Sequence, residues 1–303
     1  MCSCTFRSEA TITEETIIPP QETSIIKPIK PEEKIGWFLD DIGVYYISEN
    51  GKEPVVGFVQ IEGDTYYFGK SGYMKTGWVE EEGKRYYFKE DGKMVKGEYK
   101  IGDRNYHFTS TGEYIVVTNP WNEVPADYDY DLVKLNSDIA SGGCYGHSVC
   151  IDDLTQMISD ANTYSGARVL IVSAYRNVNQ QTSNFNNKVR YYQNQGYSYE
   201  NARAKAAQII AIPGTSEHHL GLAFDIIDTR DWSLETRQEN YKGQQWLMEH
   251  SWEYGFILRY PKNKTDVTGI IYEPWHYRYV GKELAKELHE SGLTLEEYFA
   301  SLT

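Results

Sequence analysis

The chain changes its hydrophobic rhythm twice. Residues 5–34 keep neither a helical nor an alternating period. They are rich in Thr, Glu, Pro, Ile and Lys, with Pro19, Pro20, Pro28 and Pro31, the composition of an extended linker. From Gly36 aromatic and polar positions alternate, and glycines interrupt them at regular intervals. Gly36-Trp37, Gly57-Phe58, Gly77-Trp78 and Gly97-Glu98 open four units; the last three starts are 20 residues apart and the first unit is one residue longer. Inside the units Gly43, Gly63, Gly83 and Gly102 precede aromatic clusters at Tyr45-Tyr46, Tyr66-Tyr67-Phe68, Tyr86-Tyr87-Phe88 and Tyr106-His107-Phe108. A second glycine follows at Gly51, Gly72, Gly92 and Gly112, and Met74 and Met94 hold equivalent places. Gly-bounded alternating runs of this length predict short β-hairpins. A lone hairpin cannot bury its own face, so neighbours are expected to stack into an all-β hairpin-repeat solenoid.

Asn119-Pro120 marks the second change, to a mixed pattern. Leu154, Met157, Ile158 and Ala161 recur at helical spacing and predict a helix over 152–164. Residues 168–173 (R-V-L-I-V-S) read as a buried strand, and 178–194 and 199–211 as helices. Further strands are expected at 220–227 and 256–259, and helices at 244–254 and 281–291. Helices grouped against a small, largely antiparallel sheet make an α+β domain. The expected organisation is a tail or linker over 1–35, hairpin repeats over 36–117 and the α+β domain over 118–303.

Composition narrows this picture. At 303 residues there is room for two ordinary domains, and 40% apolar residues supply at least one proper core. A formal net charge of −14 argues against nucleic acid as a partner, since phosphate binding needs clustered Lys and Arg. No apolar run approaches the roughly 18 residues of a membrane span. The opening residues, M-C-S-C-T-F-R-S-E-A, contain no apolar stretch of the signal-peptide type. Cys2 and Cys4 stand where a processed lipoprotein carries its acylated cysteine, or else belong to an artificial junction. Cys144 and Cys150 flank a short loop, where a disulfide and two reduced thiols are equally compatible with the spacing. A metal site there with His147 lacks an evident fourth ligand.

The candidate chemistry lies in two segments, Ser216 to Asp225 (S-E-H-H-L-G-L-A-F-D) and Glu273 to His276 (E-P-W-H). Together they hold imidazoles, one carboxylate suited to a metal and another suited to proton transfer. That is the inventory of a catalytic zinc site with an open position. In an extended strand Leu222, Phe224 and Ile226 share the core face, and Gly221, Ala223 and Asp225 the other. Small residues beside an acid leave room for an ion. Strict alternation puts His219 on the face of Asp225, but Gly214 suggests a turn that breaks the parity, so spacing alone leaves His218 and His219 open. Pro274 stiffens the second segment. Arg176, just past a buried strand, suits a carboxylate held through two parallel hydrogen bonds, or an oxyanion. Structural roles compete for each residue: a salt bridge for Asp225, and a helix-capping cation for Arg176.

These segments carry a family resemblance. Residues 120–303 resemble the zinc D,D-carboxypeptidases of the VanY type and the closely similar L,D-carboxypeptidases of peptidoglycan. S-A-Y-R at 173–176 matches the family's S-G-Y-R with Ala174 for Gly, and 213–225 carries its S-x-H-x-x-G-x-A-x-D motif. R-Y-P at 259–261, T-G at 268–269 and E-P-W-H-Y-R-Y-V-G at 273–281 complete the set. The resemblance implies a Zn2+ ion held by His218, Asp225 and His276, with Glu273 as general base. It places Arg176 as substrate anchor or oxyanion partner, and Ser216, Gln181 and Tyr175 on the substrate pocket. The implied activity is removal of the terminal D-alanine from peptidoglycan stem peptides. The neighbouring readings are an L,D-carboxypeptidase acting on tetrapeptides and a non-catalytic wall-binding scaffold.

Residues 36–115 resemble the cell-wall-binding repeats of choline- and glucan-binding surface proteins. They depart from the usual W-Y-Y, having Val44, Thr65, Arg85 and Asn105 at its first position. The resemblance implies a wall polymer as partner and an extracellular, wall-associated location.

Overall fold

The computed structural model describes residues 35–49 and 53–302, so the expected linker, Cys2 and Cys4 lie outside the described residues. The chain divides into two compact units, 1–75 and 76–303.

In the first unit β1 (Gly36–Leu39) pairs with β2 (Val44–Ile47), and β3 (Gly57–Ile61) with β4 (Asp64–Phe68), all antiparallel. Trp37 sits 5.2 Å from Tyr46 and 4.8 Å from Tyr66, and Ile61, Tyr66 and Phe68 are buried around it. The alternation read from the sequence is therefore the seam between hairpins. In the β3–β4 turn Glu62 and Gly63 both take positive φ, 52° and 91°. That is the two-residue turn whose twist suits a hairpin.

The second unit opens with β5 (Gly77–Glu81), β6 (Lys84–Phe88), β7 (Gly97–Ile101), β8 (Arg104–Phe108) and the short β9 (Tyr114–Ile115). Sequence rhythm drew a boundary at 117/118, but these last two hairpins are built into the same unit as the α+β domain. Arg278 donates to the Val116 carbonyl at 2.8 Å, the Ser110 hydroxyl donates to Glu287 at 2.9 Å, and Gly97 leaves no room for a Cβ beside the Leu302 carbonyl. Rhythm marks where local structure changes; it carries no information about which neighbours pack together.

Next come the paired strands β10 (Leu132–Lys134) and β11 (Tyr145–His147), then α1 (Ile151–Ser165), β12 (Val169–Ser173), α2 (Val178–Gln193) and α3 (Tyr199–Ala207). The chain continues through β13 (Ala223–Asp228), α4 (Lys242–His250), β14 (Phe256–Leu258), the single turn α5 (Thr265–Thr268), β15 (His276–Tyr279), α6 (Lys282–Ser291) and α7 (Leu295–Ser301). Four strands form one antiparallel sheet in the order β12-β13-β15-β14. The α1 face expected from the sequence packs on it, with Leu154, Met157, Ile158 and Ala161 fully buried beside Phe224 and Ile226. An asparagine cap starts α2: the Asn177 side chain accepts from the Gln180 amide at 2.9 Å and the Gln180 side chain returns the bond at 3.0 Å.

Three expected element boundaries move by three residues or more. The helix read at 199–211, α3, ends at Ala207. The strand read at 220–227 starts at Ala223, because Glu217–Leu220 forms a 3-10 turn closed by Gly221 at φ 69°. The helix read at 244–254 becomes α4 plus a separate 3-10 turn ending at Gly255, φ 84°. Among the described residues after 118, β10, β11, α5, β15 and α7 have no counterpart in the sequence pattern. Cys144 and Cys150 are separate thiols, donating to the carbonyls of Ser141 and His147 at 3.1 and 3.2 Å.

Candidate metal centre

Strand pairing builds the site. In the β13–β15 ladder Asp225 stands directly opposite His276, so one strand supplies an acid and its neighbour an imidazole at the same rung. The 3-10 turn before β13 brings in His218. One ligand atom from each of these three buried side chains lies within 4.8 Å of the others. The imidazoles of His218 and His276 meet edge to face at 4.9 Å.

The turn also separates the adjacent histidines. The His218 Nδ1 faces the Ala174 carbonyl at 2.7 Å, which fixes a proton there and leaves Nε2 as a free lone pair 3.4 Å from Asp225 Oδ2. His219 instead ties the backbone together: its Nδ1 meets the Arg176 carbonyl at 2.6 Å and its Nε2 accepts from the Gly214 amide at 3.2 Å. Strand parity does not extend through the turn, and it is His218 that lies beside Asp225 and His276. We expect His219→Gln to keep metal binding and lower stability by about 1–3 kcal/mol, since it strands buried backbone groups. His218→Ala should abolish stoichiometric metal binding; metal content and denaturant midpoints on the two variants check both statements.

The charges are arranged for an ion. Burial, with the Arg176 cation adding to it, pushes His218 down to about 4, so it stays neutral. Burial opposes ionisation of Asp225, but His218 and His276 outweigh it and hold the carboxyl well below its ordinary range. His276 Nδ1 is 3.2 Å from Asp225 Oδ1 and 3.6 Å from Glu273 Oε2. Burial pushes Glu273 up to about 8, with His276 opposing and Asp225 reinforcing.

Whether these residues fit a cation can be judged from their unmet hydrogen bonds. Buried polar atoms are normally partnered. His218 Nε2 and Asp225 Oδ1 are not, although each lies close to another ligand. One imidazole nitrogen and one carboxylate oxygen left unsatisfied in one pocket, with the second imidazole, His276, beside them, match the donor set of a catalytic zinc site. The residues present therefore fit such an ion.

Behind the ligands is an acid the sequence reading passed over. Glu217 is fully buried; its Oε2 lies 3.4 Å from His276 Nε2 and its Oε1 accepts from Arg259 Nε at 2.8 Å. Arg278 Nη1 is 3.4 Å away, and Arg259 turns its other edge to Glu296 at 2.9 and 2.5 Å. Burial works against the Glu217 charge, yet the two arginines hold its carboxyl far below the ordinary range. The signal was present in R-Y-P and in the acid preceding His218, but only contact reveals a pair 42 residues apart.

A cavity of about 310 Å³ opens over the ligands. Arg176, Ser216, Tyr260, Glu273 and Trp275 line it, with Asn184 and Lys188 on its α2 wall. Arg176 brings a buried Nε without a partner, a donor awaiting an acceptor. Gln181 and Tyr175 do not line the cavity. Gln181 lies fully buried and donates to the Ala211 carbonyl at 2.6 Å, supporting the wall, while the Tyr175 ring turns to Tyr130 at 6.3 Å.

Comparison with known proteins agrees with this geometry. The VanY D-alanyl-D-alanine carboxypeptidase family matches residues 145–282, and the choline-binding repeat matches 55–90 and 75–121. A D-alanyl-D-alanine carboxypeptidase of Enterococcus faecalis is 40% identical over 184 residues, 61% of this chain and 65% of that protein. This chain thus spans less than two thirds of the length of that curated relative. Among solved structures, a Glu-to-Ala variant of a vancomycin resistance D,D-pentapeptidase VanY, in complex with Zn(II), shares 39% identity at a TM-score of 0.54, covering 60% of this chain and 97% of that one. An LdcB LD-carboxypeptidase shares 32% at 0.55, covering 69% and 95%. The α+β domain, with its two buried histidines and aspartate under an acid-lined cavity, makes this chain a member of the VanY D-alanyl-D-alanine carboxypeptidase family, preceded by choline-binding-type repeats.

Proposed function

We propose that the protein is a zinc carboxypeptidase that removes the terminal D-alanine of peptidoglycan stem peptides, and that its repeats hold it to the cell wall outside the cell. The observation that carries this reading is the convergence of His218, Asp225 and His276 with unmet buried valences beside Glu273. A zinc ion bound there supplies Lewis acidity, polarising the scissile carbonyl and lowering the pKa of water toward about 7. The chain's own groups do the rest. Arg176, with the Ser216 hydroxyl, binds the free C-terminal carboxylate and sets the scissile bond over the ligands. Glu273 takes a proton from the attacking water and delivers it to the leaving amine as the C–N bond breaks. The apolar wall of Tyr260, Ile270 and Trp275 limits water around the carboxylate.

Similarity to the LdcB LD-carboxypeptidase supports the neighbouring L,D reading with the same residues. Incubating the zinc-loaded protein separately with pentapeptide and tetrapeptide stems, with products weighed by mass spectrometry, decides between them. Loss of one alanine from the pentapeptide alone is expected. Loss from the tetrapeptide alone gives the L,D assignment, and loss from neither gives the binding scaffold.

A further inference from the structure

Three rings of the second unit cluster around one point. Trp78 lies 5.3 Å from both Tyr106 and Tyr114, and those two are 5.5 Å apart. The adjoining cavity is rimmed by Glu80, Glu113, Asp127 and Asp129 against Lys84 and Arg85. Lys84 pairs with Glu113 at 2.8 Å, and Arg104 reaches Asp127 at 3.8 Å, so acid remains in excess at the rim. Aromatic faces beside net negative charge are the chemistry that recognises a quaternary ammonium.

A cation is already there. Arg85 places its guanidinium carbon 4.4 Å from the Trp78 ring centre and 5.6 Å from that of Tyr114, both within the roughly 6 Å range of cation–π attraction. The β5–β6 register fixes this: Arg85 stands opposite Glu80, two rungs from the Trp78–Tyr87 pair. Arg85 is the residue found where the repeats usually begin W-Y-Y. The equivalents in the other units, Val44, Thr65 and Asn105, carry no charge.

We propose that Arg85 is an internal ligand. It fills the Trp78 cage, so this hairpin pair takes no quaternary ammonium in the native protein although it retains the rings and the acidic rim to do so. A ligand would have to displace the guanidinium from Trp78 and then tolerate a like charge at its side. The proposal does not depend on the carboxypeptidase reading.

Tetramethylammonium chloride titrated into the full chain tests it, with sodium chloride at matched ionic strength as reference. The readout is the Trp78 indole N–H signal, assigned by its loss in Trp78→Phe. In the native protein the signal should move no more than in sodium chloride. In Arg85→Ala, and in Arg85→Gln, which keeps most of the length, saturable shifts should appear with at least about tenfold tighter binding. Native binding at Trp78 as tight as in the variants overturns the proposal. So does either variant that keeps the native spectrum elsewhere yet fails to respond.

Discussion

Glu273→Gln is expected to retain zinc at one ion per chain while kcat falls by about 10²- to 10⁴-fold, the usual contribution of a positioned acid–base group. The amide keeps the shape of the acid. It also keeps the backbone turn in which the Glu273 amide donates to the Tyr260 carbonyl at 3.1 Å and the His276 amide to the Glu273 carbonyl at 3.2 Å. Only proton acceptance is removed. Because burial already disfavours the Glu273 charge, its loss should not destabilise the fold. Metal analysis, thermal unfolding and alanine release on one preparation test this. Undiminished turnover with zinc in place would remove Glu273 from its role.

The second large effect lies one layer further out. Arg259→Met is expected to cost about 3–5 kcal/mol of unfolding free energy, the penalty for removing one partner of a buried ion pair. It leaves Glu217 fully buried with Arg278 as its one remaining arginine partner beside His276, and frees Glu296 from its two-bonded partner. Zinc affinity should also weaken by about 10- to 100-fold, as when groups that orient a metal-binding imidazole are lost. The reason is geometric: the Glu217 carboxylate faces the His276 nitrogen that points away from the other ligands. Denaturant unfolding gives the first number and a competition titration with a zinc chelator the second. An unchanged midpoint would mean that the Arg259–Glu217–Glu296 cluster contributes nothing net.

Much of this site could be read without coordinates, and the exceptions share one origin. Asp225 and the two halves of the ligand set stand out because a small-residue strand face and a proline-stiffened turn are local features. Glu217 did not stand out, since an acid beside a histidine has no local distinction until Arg259 and Arg278 close around it. Gln181 and Tyr175 lie near the right segments but face the other way: α2 turns Gln181 inward beneath the 209–211 wall, and Tyr175 follows its carbonyl partner at Tyr145.

By itself the sequence determined the hairpins, the α1 face, and which side chains were available for metal and proton chemistry. Each of these depends on residues a few positions apart, and period and propensity report on such residues directly. The tertiary structure alone decided that His276 stands opposite Asp225, that the 3-10 turn hands His218 to the site and His219 to the backbone, and that Arg85 covers Trp78. Those outcomes rest on which strands pair and where a turn rotates the chain. They are fixed by burial and hydrogen bonding between distant segments, which no local pattern encodes.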